Sequence, residues 1–218
     1  MLTNLFSSFD PSTNYLIQMN WISMITALLI LPTKFWNNES QSTMIFKKIF
    51  TYMNKEMSNI TMNKQMKILL ISTFMFILLN NLLGITPYTF TSTSHLVNSM
   101  TLALPLWMML MMQGWMKSTN IMFAHLIPSG TPPILMPFMI VIETISNLIR
   151  PISLSVRLTA NMIAGHLLMT LLGEINSIKT LPLILILQMI LMTFETAISI
   201  IQAYVFTILS TLYSSEIP

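Results

Sequence analysis

The sequence predicts an all-α polytopic membrane protein, and its composition supplies the main observations behind that prediction. Hydrophobic residues make up 54% of the 218 residues, whereas charged residues make up only 8%, ten of them basic and seven acidic. Soluble domains carry roughly a quarter charged residues, so this chain has too few to coat a globular surface. The high apolar content also excludes intrinsic disorder. The absence of cysteine excludes disulfides, thiolate nucleophiles and Cys-type metal sites.

The first half of the chain predicts three roughly upright spans within a single integral membrane domain covering residues 1–218. A helix needs about 20 mostly apolar residues to cross the hydrocarbon core of a bilayer. The apolar runs of about that length are residues 15–33, 68–85 and 95–116. A lysine follows the first and third runs, and turn-forming residues follow the second.

Between the first two spans, residues 42–58 predict an amphipathic helix that lies on the membrane surface. Apolar side chains such as Phe46 and Met53 recur at helical spacing, while lysines such as Lys48 occupy the other side. Lysines on one face suit anionic lipid headgroups; a solvated loop is the alternative. Because six of the ten basic residues fall within residues 34–67, we expect this stretch on the cytoplasmic or matrix side of the membrane.

Two long apolar segments, residues 134–172 and 181–213, predict a hairpin of long oblique membrane helices. As a helix at about 1.5 Å per residue, the first would measure roughly 58 Å, nearly twice the hydrocarbon core of roughly 30 Å. It must therefore be strongly tilted, or kinked at Pro151. The second segment poses the same problem, and residues 173–176 are the predicted turn between the two.

Polar and charged side chains inside these long segments are the candidate functional residues. A charge at bilayer depth costs about 2.5–3.5 kcal/mol on insertion scales, so such residues are functional candidates by default. The ionisable residues in question are Glu143, Arg150, Arg157, His166 and Glu195. At about 100° per residue, Glu143 and Asn161 fall within about 40° of Arg157, whereas His166 lies about 180° away. The first long helix thus carries two polar faces.

The chemistry of these residues fits ion movement. Arg157 does not lose its proton in practice, so it cannot carry protons, but its charge can repel cations and hold a partner's carboxylate ionised. His166 titrates near neutrality and can pass protons. On the last segment, Glu195 and Gln202 share a face, and Glu216 lies near the membrane exit. These positions predict a relay for protons.

A specific resemblance follows from the run Ser155-Val156-Arg157-Leu158-Thr159-Ala160-Asn161-Met162-Ile163-Ala164-Gly165-His166. It resembles the signature of the ATP synthase subunit a family in its mitochondrial form. The similarity extends over the whole chain and includes the segment NLLGITPYTFTSTSHL and the spacing from Glu195 to Gln202. Bacterial members carry a glutamate where His166 stands and a histidine where Glu195 stands, so this chain follows the mitochondrial pattern.

The resemblance implies a proton-channel stator subunit of a rotary ATP synthase in the mitochondrial inner membrane. It implies that Arg157 faces the proton-carrying carboxylates of the c-ring, with Asn161 as its polar neighbour. Positions matching the half-channel on the intermembrane-space side are His166, Glu195, Gln202 and Glu216, and Glu143 matches the acid of the matrix-side half-channel. The implied partners are the c-ring, the peripheral stalk, other membrane subunits and the lipid bilayer. No cofactor, metal or nucleic acid is expected, and the chain carries no P-loop, so ATP chemistry is expected on other subunits.

Two other functions stay open at the level of sequence. A secondary cation/proton antiporter places ion sites at the midplane of repeated, broken helices, but no internal repeat is evident here. An assembly subunit that transports nothing would use its charges only to lock the hairpin. That structural interpretation is favoured for Arg150, which precedes Pro151, and for His95 and His125, which lie near turns or span ends.

Overall fold

The computed structural model describes residues 5–12, 18–32, 40–60, 64–86, 89–127, 132–174 and 181–216, and regular structure in these ranges is helical throughout. The helices are α1 (Ser23–Leu29), α2 (Gln41–Ile60), α3 (Lys64–Ile85), α4 (Leu96–Lys117), α5 (Thr119–His125), α6 (Met136–Glu174) and α7 (Leu181–Glu216). Of these, α3, α4, α6 and α7 are long and apolar enough to cross a membrane. The predicted all-α polytopic membrane fold is confirmed.

The first predicted span, residues 15–33, is described only in its central part. A 3-10 turn at Met19–Ile22 leads directly into α1, giving a helical stretch that ends at Leu29. Eleven helical residues reach about 16 Å at 1.5 Å per residue. Residues 13–17 and 33–39, which include both ends of the predicted span, lie outside the described residues.

Residues 42–58, predicted to be an amphipathic helix, lie within α2. The helix buries Met53 and Met57, and it packs against α3 and α7. Lys47, Lys48 and Lys55 are exposed. Met53 and Met57 therefore face the helix bundle and the lysines face outward, while other apolar side chains of α2, such as Phe50, are exposed.

The two long helices α6 and α7 are each continuous. Helix α6 has 39 residues and passes through Pro151 without ending, and α7 has 36 residues. At 1.5 Å per residue they measure about 58 and 54 Å, which fits the oblique alternative better than two upright pieces. Residues 175–180, which include part of the predicted turn, lie outside the described residues.

Helix α3 lies at the centre of the bundle. Its side chains Leu70, Phe74 and Ile77 are buried in one apolar cluster with side chains of α2, α4, α6 and α7. Small residues on α7 let the helices approach closely, as is common inside membranes; they are Ser199, Ala203, Thr207, Ser210 and Thr211, all buried. The hydroxyls bond to carbonyls of their own helix, as Thr207 does to Tyr204 O at 2.9 Å, so burying them leaves no donor unsatisfied.

Candidate functional site

The close crossing of α6 and α7 at Gly165 brings Glu195 against α6. A Cβ atom at position 165 would collide with Glu195 Oε1 and would lie 2.7 Å from its Cδ and 3.1 Å from its Cγ. Only glycine leaves room for the carboxyl group in this position. His166 is the next residue, so a carboxyl group and an imidazole from two different helices meet at this crossing.

Both groups present polar atoms that lack a protein partner among the described residues. His166 Nε2 and Glu195 Oε1 are buried without a hydrogen bond, although the His166 ring also bonds to the backbone of Gly84. Asn81 Oδ1 on α3 is buried and unpaired in the same way. Buried polar atoms in proteins are normally satisfied by protein groups or by water, so these atoms are suited to hold water between the helices.

An inner cavity of about 250 Å³ extends from this crossing towards the middle of the helices. Its polar lining residues are Asn81, Asn161, His166, Glu195, Ser199 and Gln202. Apolar side chains such as Leu158 and Phe194 complete the wall. Four of the residues predicted from sequence, Asn161, His166, Glu195 and Gln202, thus surround one space.

An outer cavity of about 460 Å³ lies on the other side of the crossing. The polar residues in its wall are Ser7, Ser8, Asp10, Asn20, Thr86, Thr89, His166, Thr170 and Glu195. Because Ile85, His166 and Glu195 line both cavities, the histidine and the glutamate stand where the two spaces meet. Taken together, the lining residues of the two cavities extend from the N-terminal segment to Asn161 on α6.

Arg157 has a different environment. Its side chain is exposed on a surface formed by apolar residues such as Ile152 and Val156, whose exposed fractions are 44% and 42%. It does not line the inner cavity, but Asn161, one helical turn further on, does. Helical spacing predicted Asn161 beside Arg157 and His166 on the opposite face. The structure places Asn161 in the cavity wall with His166.

Glu143 and Arg150 lie at the other end of α6 and pair with each other. Arg150 Nη2 is 3.7 Å from Glu143 Oε1, and its guanidinium lies 4.7 Å from the centre of the Tyr213 ring on α7. The contact with Tyr213 fits the structural interpretation of Arg150, because it ties the two long helices together, whereas the pair with Glu143 lies within α6. Glu216 is the last residue of α7, and its side chain is not among those that the structure describes.

Sequence reasoning missed several residues around the crossing. Gly165 was visible only as part of the run that carries the resemblance, and buried Asn81 in an otherwise apolar span was a usable signal. Nothing in the sequence linked the N-terminal segment to His166. His95 forms a hydrogen bond with the carbonyl oxygen of Phe9. The side chain of His125 is not among those that the structure describes. Among the described residues, no three His, Asp or Glu side chains are grouped to hold a metal ion.

Comparison with known proteins gives a consistent result over the full chain. The profile of the ATP synthase A chain family matches residues 17–215. The chain is 52% identical to ATP synthase subunit a of Aedes aegypti, 50% identical to that of Anopheles gambiae and 49% identical to that of Locusta migratoria. Each of these alignments covers the whole of both sequences.

Proposed function

The chain belongs to the ATP synthase A chain family, and from that premise we propose that it carries two offset half-channels. These load and unload protons on the carboxylates of a rotating c-ring, with Arg157 separating them. Membership of this family assigns the chain to the Fo sector of ATP synthase, where proton transport is coupled to ATP synthesis. We place it in the mitochondrial inner membrane, beside the c-ring, the peripheral stalk and other membrane subunits.

The exposure of Arg157 is the observation that carries the proposal. A permanent cation at bilayer depth is costly when it faces lipid, yet this side chain is exposed on an apolar surface. No described residue of the chain forms an ion pair with it. A partner carrying carboxylates on an apolar, helical surface would supply the missing charge and cover this face.

The charge on Arg157 then controls the protonation of each passing carboxylate. A ring carboxyl group must be neutral while it faces lipid, because the ionised form is too costly there. Opposite Arg157 the positive charge favours the ionised form. A carboxyl group therefore gives up its proton on one side of Arg157 and gains one on the other. The fixed cation also blocks a direct proton leak between the two sides.

The two cavities are the candidate half-channel on the intermembrane-space side. Water in the outer cavity would reach His166 and Glu195, and the inner cavity would continue to Asn161 and Gln202. Asn161 is one turn from Arg157, so this route ends near the face that the ring would cover. The unpaired buried atoms of His166 and Glu195 are suited to exchange protons with such water.

Glu143 is the candidate acid of the matrix-side half-channel. It lies 14 residues before Arg157, or about 21 Å along α6 at 1.5 Å per residue. Its side chain is 37% exposed and is held by Arg150. The two candidate routes thus approach Arg157 from opposite ends of the same helix, which is the offset that the mechanism needs.

This arrangement makes rotation the only complete path for protons. Each proton that crosses yields about 2.3 kcal/mol per 100 mV of membrane potential, and the ring transmits that energy as rotation. We assign the chain no nucleotide chemistry, because its sequence carries no P-loop. ATP is made on other subunits in this proposal.

Reconstitution tests the proposed function directly. The chain would be inserted into lipid vesicles with and without a carboxylate-bearing c-ring, and proton flux would be followed with a pH-sensitive dye. We expect flux only when the ring is present. Flux by the chain alone would instead indicate an antiporter-like transporter, and no flux under either condition would indicate an assembly subunit.

A further inference from the structure

The N-terminal segment, residues 5–12, lies against the His166 end of α6. The ring of Phe9 meets the ring of His166 edge-on, with centroids 6.1 Å apart and an interplanar angle of 88°. Ser7, Ser8 and Asp10 of the same segment form part of the wall of the outer cavity. The hydroxyl oxygen of Ser8 is buried without a partner among the described residues. The segment therefore forms a wall of the space through which water would reach His166.

His95 fastens this segment to the rest of the bundle. Its Nε2 lies 3.0 Å from the carbonyl oxygen of Phe9, 86 residues away in the chain. A carbonyl oxygen can only accept, so the contact requires a proton on Nε2. The imidazole is held on its other sides by Trp21 and Phe90, with centroid distances of 5.2 and 5.3 Å.

Asp10 contributes a negative charge to the outer cavity. Its carboxylate accepts a hydrogen bond from the backbone N–H of Ser12 at 2.9 Å, and the bonds to Ser12 hold the pKa of Asp10 below its ordinary value. Asp10 is exposed, whereas Glu195, the other acid in this cavity wall, is half-buried. The carboxylate therefore stands on the solvent side of the space and Glu195 on its inner side.

We propose that residues 5–12 are the outer wall of the proton-access cavity, that Asp10 attracts protons to its mouth, and that His95 is a positioning residue for this wall. The inference rests on the proposed function, because it assigns a role within the intermembrane-space half-channel. Asp10 acts through its field and passes no proton itself. A carboxylate at the mouth of a cleft raises the local concentration of cations and the rate at which they arrive.

Salt dependence distinguishes this role from a role in packing. Fields at a protein surface extend about 30 Å at 0.01 M ionic strength but only about 3 Å at 1 M. The assembled complex with Asp10→Asn would be compared with the unaltered complex at both salt concentrations. We expect proton-driven ATP synthesis, in which protons enter through this cavity, to fall about threefold at 0.01 M and to be equal at 1 M, because a single exposed carboxylate should steer less than the charge-lined clefts that give about tenfold or more. An equal loss at both salt concentrations, or no loss at either, would overturn the assignment of Asp10.

Glu174→Gln is the matched control for charge. Glu174 is an exposed acid at the end of α6, eight residues beyond His166, and it is outside the described wall of the outer cavity. We expect this control to lower proton-driven ATP synthesis less than Asp10→Asn does at low salt. An equal effect of both substitutions would mean that general surface charge acts, and it would contradict the specific role of Asp10.

Thiol labelling tests the wall and its fastening without measuring proton flux. Because the chain has no cysteine, Asp10→Cys, at an exposed position of the segment, and Thr170→Cys introduce single thiols into the wall of the outer cavity. A charged, membrane-impermeant thiol reagent should label both positions from the intermembrane-space side. Labelling only from the opposite side, or no labelling from either side, would overturn the proposed wall.

Variants of His95 then test its positioning role. His95→Leu removes the donor to Phe9, and labelling of Thr170→Cys should become about fivefold faster as the segment loosens. His95→Gln keeps an N–H donor, so the labelling rate should return to that of the chain with His95. Equal rates in all three, or no rescue by glutamine, would contradict the role. Since labelling needs no c-ring, it also separates a failure of this inference from a failure of the half-channel mechanism.

Discussion

Gly165→Ala is the substitution whose effect follows most directly from the geometry. The added Cβ would collide with Glu195 Oε1 and lie 2.7 Å from Glu195 Cδ. Carbon atoms in contact prefer roughly 3.5–4.0 Å, so the carboxyl carbon must retreat by about 1 Å. A displacement of about 1 Å at a reacting group can cost about 100-fold in rate. No charge is added or removed by the change.

We expect Gly165→Ala to lower coupled proton flux about 10- to 100-fold while the complex still assembles. The loss of stability caused by Gly165→Ala should be small, because the atoms that must move lie at the end of the flexible Glu195 side chain. Shifting the Glu195 rotamer costs about 0.5–1.5 kcal/mol, and alanine is favoured over glycine in a helix by about 0.8–1.0 kcal/mol. The assays are flux in reconstituted vesicles and thermal unfolding of the complex.

Gly173→Ala supplies a matched control on the same helix. A Cβ at position 173 would meet only Gln188 Nε2, at 3.9 Å, which is an ordinary contact. Flux should therefore stay within about twofold of the unaltered complex. Shortening the acid with Glu195→Asp in the Gly165→Ala background should restore part of the lost flux. Normal flux with alanine at position 165 would refute the claim that the position of the Glu195 carboxyl group matters.

Three further predictions concern other parts of the molecule. His166→Ala or Glu195→Gln should slow coupled flux without abolishing it, because cavity water can partly replace a relay group; complete loss would contradict this. Arg150→Gln should destabilise the hairpin by about 1–2 kcal/mol through loss of its charge over Tyr213, and an unchanged unfolding midpoint would refute that contribution. A thiol introduced by Lys48→Cys should react with an impermeant reagent only from the matrix side, and reaction only from the opposite side would reverse the topology.

The fold was predictable where the sequence pattern is periodic and long. Apolar runs and a lysine-bearing face located the long helices and α2, because these signals are local. Helix α5 (Thr119–His125) was not predicted, since its seven residues are too few for a periodic pattern. The residue pattern of the sequence also left open whether Pro151 breaks α6, because a helix can accommodate a proline or bend at it.

The candidate site was predictable in its residue types but not in its connections. Charge at bilayer depth identified Arg157, His166 and Glu195. Rotation about one helix axis could not predict that Asn161 shares a cavity with His166, because a crossing helix supplies the other wall. The contact between His95 and Phe9 spans 86 residues, and no spacing rule reaches that far.

Proton flux in the complex with a substituted Arg157 tests the central claim most directly. Ala, Gln or Lys at position 157 should abolish ATP-driven proton pumping and proton-driven ATP synthesis, while hydrolysis by the detached catalytic head continues. Lysine should also fail, because its charge sits on a flexible stem and can be lost on desolvation. Lys117→Gln, which removes an exposed cation at the end of α4, should leave flux near normal. Near-normal coupled flux with Arg157→Ala would show that the arginine is only structural and would contradict the mechanism.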